Sequence, residues 1–311
     1  MNKPAADEIV IPPSIGTVTN RIAAGPGAPL VVHISDAHCK APVQRNIAAI
    51  GRHLVQQHGF RLFAVEGTPG PIEVGFLRRH YAEAPAVVDQ QLETGRITGP
   101  EWLAISHAHA LTIHGIEDAD AYRRNHQAMV GVMGNAQPAR DCLSRLRGAL
   151  LGLPGTPEMW ANHALLGVLG DGISLHLTRD RYLAHGKALA KLDLSALVDA
   201  ITTASKAVGE GISAGLPVAR AVVADVLAFY ETAIERDGIL FRNAMEAMRR
   251  HSVDRAIVVT GGFHVGGIAT LARERGVAAV FVQPQMAWTL AGLLNDGEEQ
   301  KYKTIMAKQK V

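Results

Sequence analysis

APLVVHISDAH, residues 28–38, and RLFAVEG, residues 61–67, decide how this chain folds. Each is a short, β-branched apolar run that stops abruptly at polar residues, the form of a strand buried on both faces. The first follows the turn signal Gly25-Pro26-Gly27 and breaks into Ser35-Asp36-Ala37-His38. Between the two runs, after Pro42, the residues Val43, Ile47, Ile50 and Leu54 recur at helical spacing. A strand, a helix and a second strand at that spacing make a β-α-β unit with parallel strands and a right-handed crossover.

Working outward, ALTIHGIED (110–118), RAIVVTGG (255–262) and VAAVFVQP (277–284) repeat the same form. HVGGIATLARERG (264–276) has a helical pattern and lies between the last two, so a second β-α-β unit is expected near the C-terminal end. From about 120 to 250 no strand pattern occurs; Leu, Ala, Ile and Met recur three and four apart, with Gly/Pro breaks at 152–157 and 208–217 and a last helix over 217–250. The expected fold is α/β: a central, mainly parallel sheet flanked by helices, with a large all-helical insertion at about 120–250. Residues 1–24 read as an N-terminal extension to a single α/β domain over 25–311.

Composition narrows the function. The 311 residues are 48% hydrophobic, 19% charged and 5% aromatic, a globular composition without a stacking surface for single-stranded nucleic acid. The 31 basic and 29 acidic residues are well mixed and leave a net charge of +2, so no phosphate-binding field is expected and nucleic acid is not an expected partner. Only Cys39 and Cys142 are present, too few for a disulfide framework or a thiolate metal cage, which fits a reducing compartment. The opening MNKPAADEIVIPPSIG lacks the apolar run of a signal peptide and no stretch has the length and apolarity of a membrane span, so the cytoplasm is the expected location.

Ligands of open α/β sheets collect beyond the carboxyl ends of the strands, and there this chain places its ionisable residues. The first strand ends in Ser35-Asp36-Ala37-His38, the second in Glu66, the third in Glu117-Asp118 and the fourth in Gly261-Gly262-Phe263-His264. Two imidazoles and a carboxylate, His38, His264 and Glu66, are the donor set of a divalent transition metal such as Mn, Co, Zn or Fe. A metal so held activates water for hydrolysis, with Asp36 as a further ligand or base. Gly261 and Gly262 permit close backbone approach, and the helix starting near His264 offers N–H groups to an anion or oxyanion. Arg242, on the long helix before the fourth strand, is a candidate to clamp a substrate carboxylate or orient Glu66, with Asn243, Glu117 and Asp118 as further substrate-side groups. The chain has neither a GxGxxG after a strand nor a G-x-S-x-G elbow, which argues against a dinucleotide cofactor and a serine triad.

These motifs resemble the Tiki/TraB-like family within the erythromycin esterase-like and ChaN-like superfamily. The family's pattern is two G-x-x-H motifs, a strand-ending Glu after the first and an Arg-Asn on a helix before the second. Gly261-Gly262-Phe263-His264, Glu66 and Arg242-Asn243 match it, whereas Ser35 replaces the glycine of the first motif. The resemblance covers both ends of the chain but not residues 125–215. It implies metal-dependent proteolysis as in Tiki-like members, ester hydrolysis as in erythromycin esterase-like members, or haem binding as in ChaN-like members. The expectation is a metal-dependent hydrolase of an amide or ester bond in a small molecule or peptide. A metal-free esterase-like hydrolase and a haem- or small-ligand-binding protein are the alternatives.

Overall fold

The computed structural model describes residues 4–37, 40–106 and 111–285. They divide into two compact units, one of residues up to Tyr122 together with those from Glu235 on, the other of Arg123–Ile234.

The first unit is built on one sheet whose strands, among the described residues, run in the order β1-β7-β2-β6-β3-β5-β4. In chain order these are β1 (Gly16–Ile22), β2 (Leu30–Asp36), β3 (Leu62–Val65), β4 (Pro69–Ile72), β5 (Thr112–Ile116), β6 (Arg255–Gly261) and β7 (Ala278–Pro284). The five inner strands are the five expected from the sequence. β2 runs parallel to β6 and β7, and β3 runs parallel to β5 and β6. β1 and β4 close the two edges in antiparallel pairing with β7 and β5. Neither was expected: β1 is Gly-Thr-Val-Thr-Asn-Arg-Ile, mostly polar although its burial alternates along the strand, and β4 is Pro-Gly-Pro-Ile, a composition suited only to an edge.

The alternation of β2 explains the two cores. Leu30, Val32 and Ile34 face one side, where α1 (Ala41–His58), α3 (Pro85–Glu93) and α4 (Gly99–Ser106) supply Ile47, Leu54, Leu92 and Leu103. Val31 faces the other, with Leu240, Ala244 and Met248 of α10 (Leu216–Arg250) and Ile268 of α11 (Val265–Glu274). α1 starts with Pro42 in its first turn and stops at Gly59, whose φ of 69° is the left-handed conformation that a helix C-terminus takes. α2 (Gly75–Glu83) completes the helices that follow the sheet's β4 edge.

The second unit is helical among its described residues: most of α5 (Ala119–Leu150), then α6 (Pro157–Ile173), α7 (Arg179–Leu189), α8 (Leu194–Ala204), α9 (Lys206–Ser213) and the first half of α10. Side chains of Thr156, Thr178 and Asp193 cap the starts of α6, α7 and α8. Tyr230, 1% exposed, accepts the Leu177 N–H at 3.1 Å and stacks on Tyr182. No single helix among the described residues is long and apolar enough to cross a membrane, although α9 and α10 together, bent by 56° at their junction, have the length and composition.

Close packing at the β3–β4 turn positions the strand ends. A Cβ at Gly115 would lie 2.0 Å from the Thr68 carbonyl oxygen, a backbone atom that cannot step aside, whereas one at exposed Gly134 would meet open space. Gly115→Ala is expected to lower unfolding free energy by about 3 kcal/mol, and Gly134→Ala to raise it by about 0.5–1 kcal/mol. Urea denaturation of the two variants checks both signs.

Candidate active site

Register brings the expected residues together at one edge. Asp36 at the end of β2 pairs with Gly261 at the end of β6, while Val65 of β3 pairs with Val259 of β6 and with Gly115 of β5. The next residue after each of β3 and β5 is an acid, Glu66 and Glu117, and the Glu66 N–H donates to the Val259 carbonyl at 3.0 Å. Both carboxylates therefore leave the sheet side by side.

One guanidinium serves them both. Arg236 of α10 donates from Nε to Glu117 Oε1 at 3.1 Å and from Nη2 to Glu117 Oε2 at 2.7 Å, and its Nη2 also meets Glu66 Oε1 at 2.5 Å. Its side chain is 4% exposed, those of Glu66 and Glu117 10% and 0%. The Tyr122 ring lies 5.4 Å from the guanidinium carbon, an approach that favours the cation. Burial disfavours the charge of Arg236, yet the two carboxylates and their hydrogen bonds push its pKa further up.

The second cation is His264. Its Nδ1 lies 2.7 Å from Asp237 Oδ1 and its Nε2 3.5 Å from Glu66 Oε1. Burial works against charging the imidazole, but the charge of Glu66 and hydrogen bonds to Asp237 and Glu66 outweigh it and raise the pKa to about 9, with Arg236 opposing. As an imidazolium, His264 donates from both nitrogens, which matches an acceptor on each side. Gly267 makes room for this arrangement, since a Cβ there would come within 2.0 Å of Asp237 Oδ2. The remaining oxygen of Glu66, Oε2, accepts the Gly261 N–H at 2.6 Å, so the anion received by the glycine turn is the protein's own.

Beneath this layer sits His33, fully buried in β2, with Nε2 2.8 Å from the Thr260 hydroxyl and Nδ1 without a hydrogen-bond partner among the described residues. Burial, reinforced by the charge of His264 and opposed by Glu66, lowers its pKa to about 3. It is a neutral core residue.

The other residues singled out in the sequence have particular places. Asp36 accepts from Gln44 Nε2 at 2.5 Å, and Gln44 in turn accepts the Gly99 N–H. Asp118 takes the Asp120 and Ala121 N–H groups at 3.1 and 2.9 Å and so caps α5. Asn243 donates to the Ile116 carbonyl at 3.0 Å, tying α10 to the end of β5. Gly262 opens the short 3-10 turn that delivers His264. His38 and Cys39 lie outside the described residues.

The orienting role expected of Arg242 falls to Arg236. Arg242 is exposed, because a step of six residues turns about 240° around a helix, whereas the seven from Arg236 to Asn243 return to nearly the same face. Arg236 and Asp237 carried no motif of their own. The helical phase of Asn243 is the signal that finds the first, and Gly267, whose missing side chain admits a carboxylate, is consistent with the second.

Of the set expected to hold a divalent ion, only His264 and Glu66 lie among the described residues. Among the described residues no three His, Cys, Asp or Glu side chains group to hold one. His264 Nδ1 lies against Asp237 and its Nε2 is 3.5 Å from Glu66, whose other neighbour at Oε1 is Arg236.

No protein-family model matches the chain, and no curated protein matches it. Among solved structures, an erythromycin esterase mutant, EreC, in its open conformation is similar over 75% of this chain, at 15% identity and a TM-score of 0.29. The chain spans 61% of that protein's length. At such a score the likeness carries neither fold nor chemistry across.

His264 and His33 set the pH dependence of stability from opposite sides. The folded pKa of His264, about 9, lies above its ordinary 6.5, so its contribution is complete below 6.5 and lost as pH rises through 9. That of His33, about 3, lies below 6.5, so its contribution is complete above 6.5 and lost as pH falls toward 3. Urea midpoints are expected to peak near pH 6.5, and His264→Ala to remove a loss of roughly 1–3 kcal/mol on the alkaline limb.

Proposed function

We propose that this chain is a hydrolase of carboxylic esters that works by side-chain acid–base chemistry at the ends of β3 and β6. The reading rests on one observation: the 3.5 Å approach of His264 Nε2 to Glu66 Oε1 at a strand-end edge, with each member held by its own partner. Ester hydrolysis needs an acceptor for the proton of attacking water, a cation for the charge that develops on the carbonyl oxygen, and a donor for the leaving alkoxide.

Glu66 takes the water's proton as hydroxide adds to the carbonyl carbon. The His264 imidazolium stabilises the oxyanion and then protonates the leaving oxygen as the C–O bond breaks. The proton on Glu66 passes to His264 across the gap the two already share, which restores the starting state. Asp237 holds the ring against rotation, and Arg236 fixes the Glu66 carboxylate while Glu117 balances its charge. The resemblance of Glu66 and Gly261-Gly262-Phe263-His264 to the erythromycin esterase-like superfamily supports the same class. His38, which that resemblance pairs with His264, is proposed as a second base, from the segment that follows β2.

The test is hydrolysis of a panel of aryl and alkyl esters, lactones and peptides, with and without EDTA. Ester turnover that survives EDTA and falls at least about 100-fold in Glu66→Gln and in His264→Ala is the expected result. Turnover abolished by EDTA and restored by Mn²⁺ or Zn²⁺ would return the site to metal-dependent chemistry, and cleavage confined to peptides would replace the ester reading.

A further inference from the structure

The glycine turn that serves both Glu66 and His264 leans on two buried side chains with no part in the reaction itself. Gly261, the last residue of β6, donates its N–H to Glu66 Oε2 at 2.6 Å, and the 3-10 turn Gly262–His264 starts directly after it. A glycine has no side chain to limit its rotation, so its φ of −54° and ψ of 148° are held from outside. We propose that Thr260 and His33 are positioning residues of the Glu66 site, a role that rests on the ester-hydrolase reading: His33 directs the Thr260 hydroxyl onto the Gly261 carbonyl and so fixes the backbone between base and imidazole.

Strand alternation puts the two on one face. Ile257 and Val259 of β6 enter the core on the α1 side, Ala256 and Val258 the core on the α10 side, so Thr260 belongs to the α10 side. The same count along β2, from Leu30, Val32 and Ile34 on one side and Val31 on the other, puts His33 there too. His33 pairs in register with Val258, two residues before Thr260, and both His33 and Thr260 are 0% exposed. His33 Nε2 lies 2.8 Å from the Thr260 hydroxyl oxygen, which reaches the Gly261 carbonyl oxygen at 3.3 Å.

The direction of this chain follows from its protons. A hydroxyl has one to give and a carbonyl only accepts, so the Thr260 proton goes to Gly261 and His33 donates from Nε2. The bare nitrogen of His33 is then Nδ1, the atom without a hydrogen-bond partner among the described residues. The opposite tautomer would bury an unpaired N–H, which native cores tolerate less readily than an unpaired acceptor. Burial keeps the ring neutral down to a pH of about 3 and so preserves the tautomer.

The consequence for Glu66 is direct. Arg236 holds its Oε1 and Gly261 its Oε2, so rotation at Gly261 would swing the base relative to His264, 3.5 Å away. A misplacement of about 1 Å costs on the order of 10²-fold in rate, and a partial shift costs part of that.

The experiment compares Thr260→Val, which keeps the shape without the hydroxyl, with Thr260→Ser, which keeps the hydroxyl, in the full chain. With nitrophenyl acetate as substrate, Thr260→Val is expected to lower kcat about tenfold at unchanged KM, and Thr260→Ser to stay within about twofold of the wild type. Two NMR readouts need no turnover. The wild-type His33 ring carries its proton on Nε2, and the Gly261 amide proton, far downfield through its short bond to a carboxylate, moves upfield in Thr260→Val and stays in Thr260→Ser. Should the wild type hydrolyse no ester, the hydrolase reading fails and these two resonances alone decide the positioning of Glu66. A proton on Nδ1 of His33, a Gly261 amide unmoved in Thr260→Val, wild-type kcat in that variant, or equal loss of kcat in both Thr260 variants would each overturn the proposal.

Discussion

A single buried guanidinium holds this site together. Arg236 comes from α10, while the carboxylates it joins come from the ends of β3 and β5, so one side chain fixes a helix and two strands at once. Placing these charges out of water costs several kcal/mol per ion, repaid only when geometry is good and the remaining lone pairs are filled. Gly261 fills one on Glu66, the Gly67 and Asp118 N–H groups approach Glu117 at 3.4 and 3.3 Å, and the Tyr122 face covers the cation. Removing the arginine would leave two carboxylates facing each other with nothing between them.

The charge on His264 follows from the same account. Glu66, Glu117 and Asp237 bring three negative charges into a mostly buried space, and Arg236 answers one of them. An imidazolium between Asp237 and Glu66 offsets a second of these charges, which is why burial fails to keep this histidine neutral. His33, a short step below with only a threonine hydroxyl to bond, has no such carboxylate of its own and stays uncharged. Two buried histidines, one in β2 and one in the turn after β6, thus take opposite states through their partners rather than their depth.

Much of this was legible in the sequence. The five inner strands announce themselves as apolar runs because parallel strands covered on both faces tolerate little else. Glu66 and His264 are legible for a related reason: ionisable residues directly after such runs must find partners. Asp118 and Asp36 gave the same signal, yet one caps α5 and the other receives Gln44, since an acid at a strand end satisfies a backbone or an amide as readily as a substrate. The edge strands were hidden because β4 is held by pairing rather than by apolar side chains. Arg236 and Asp237 were hidden because a charged pair within a long helix has the pattern of a solvated face, and only the tertiary position of α10 turns it inward.

The state of His264 is the claim on which the rest turns, and nitrogen-detected NMR of the imidazole at pH 7.5 reads it directly. The account predicts both ring nitrogens protonated, with the resonance assigned through its loss in His264→Ala. A neutral ring, with one bare nitrogen titrating near 6.5, would contradict it and free that nitrogen for a metal.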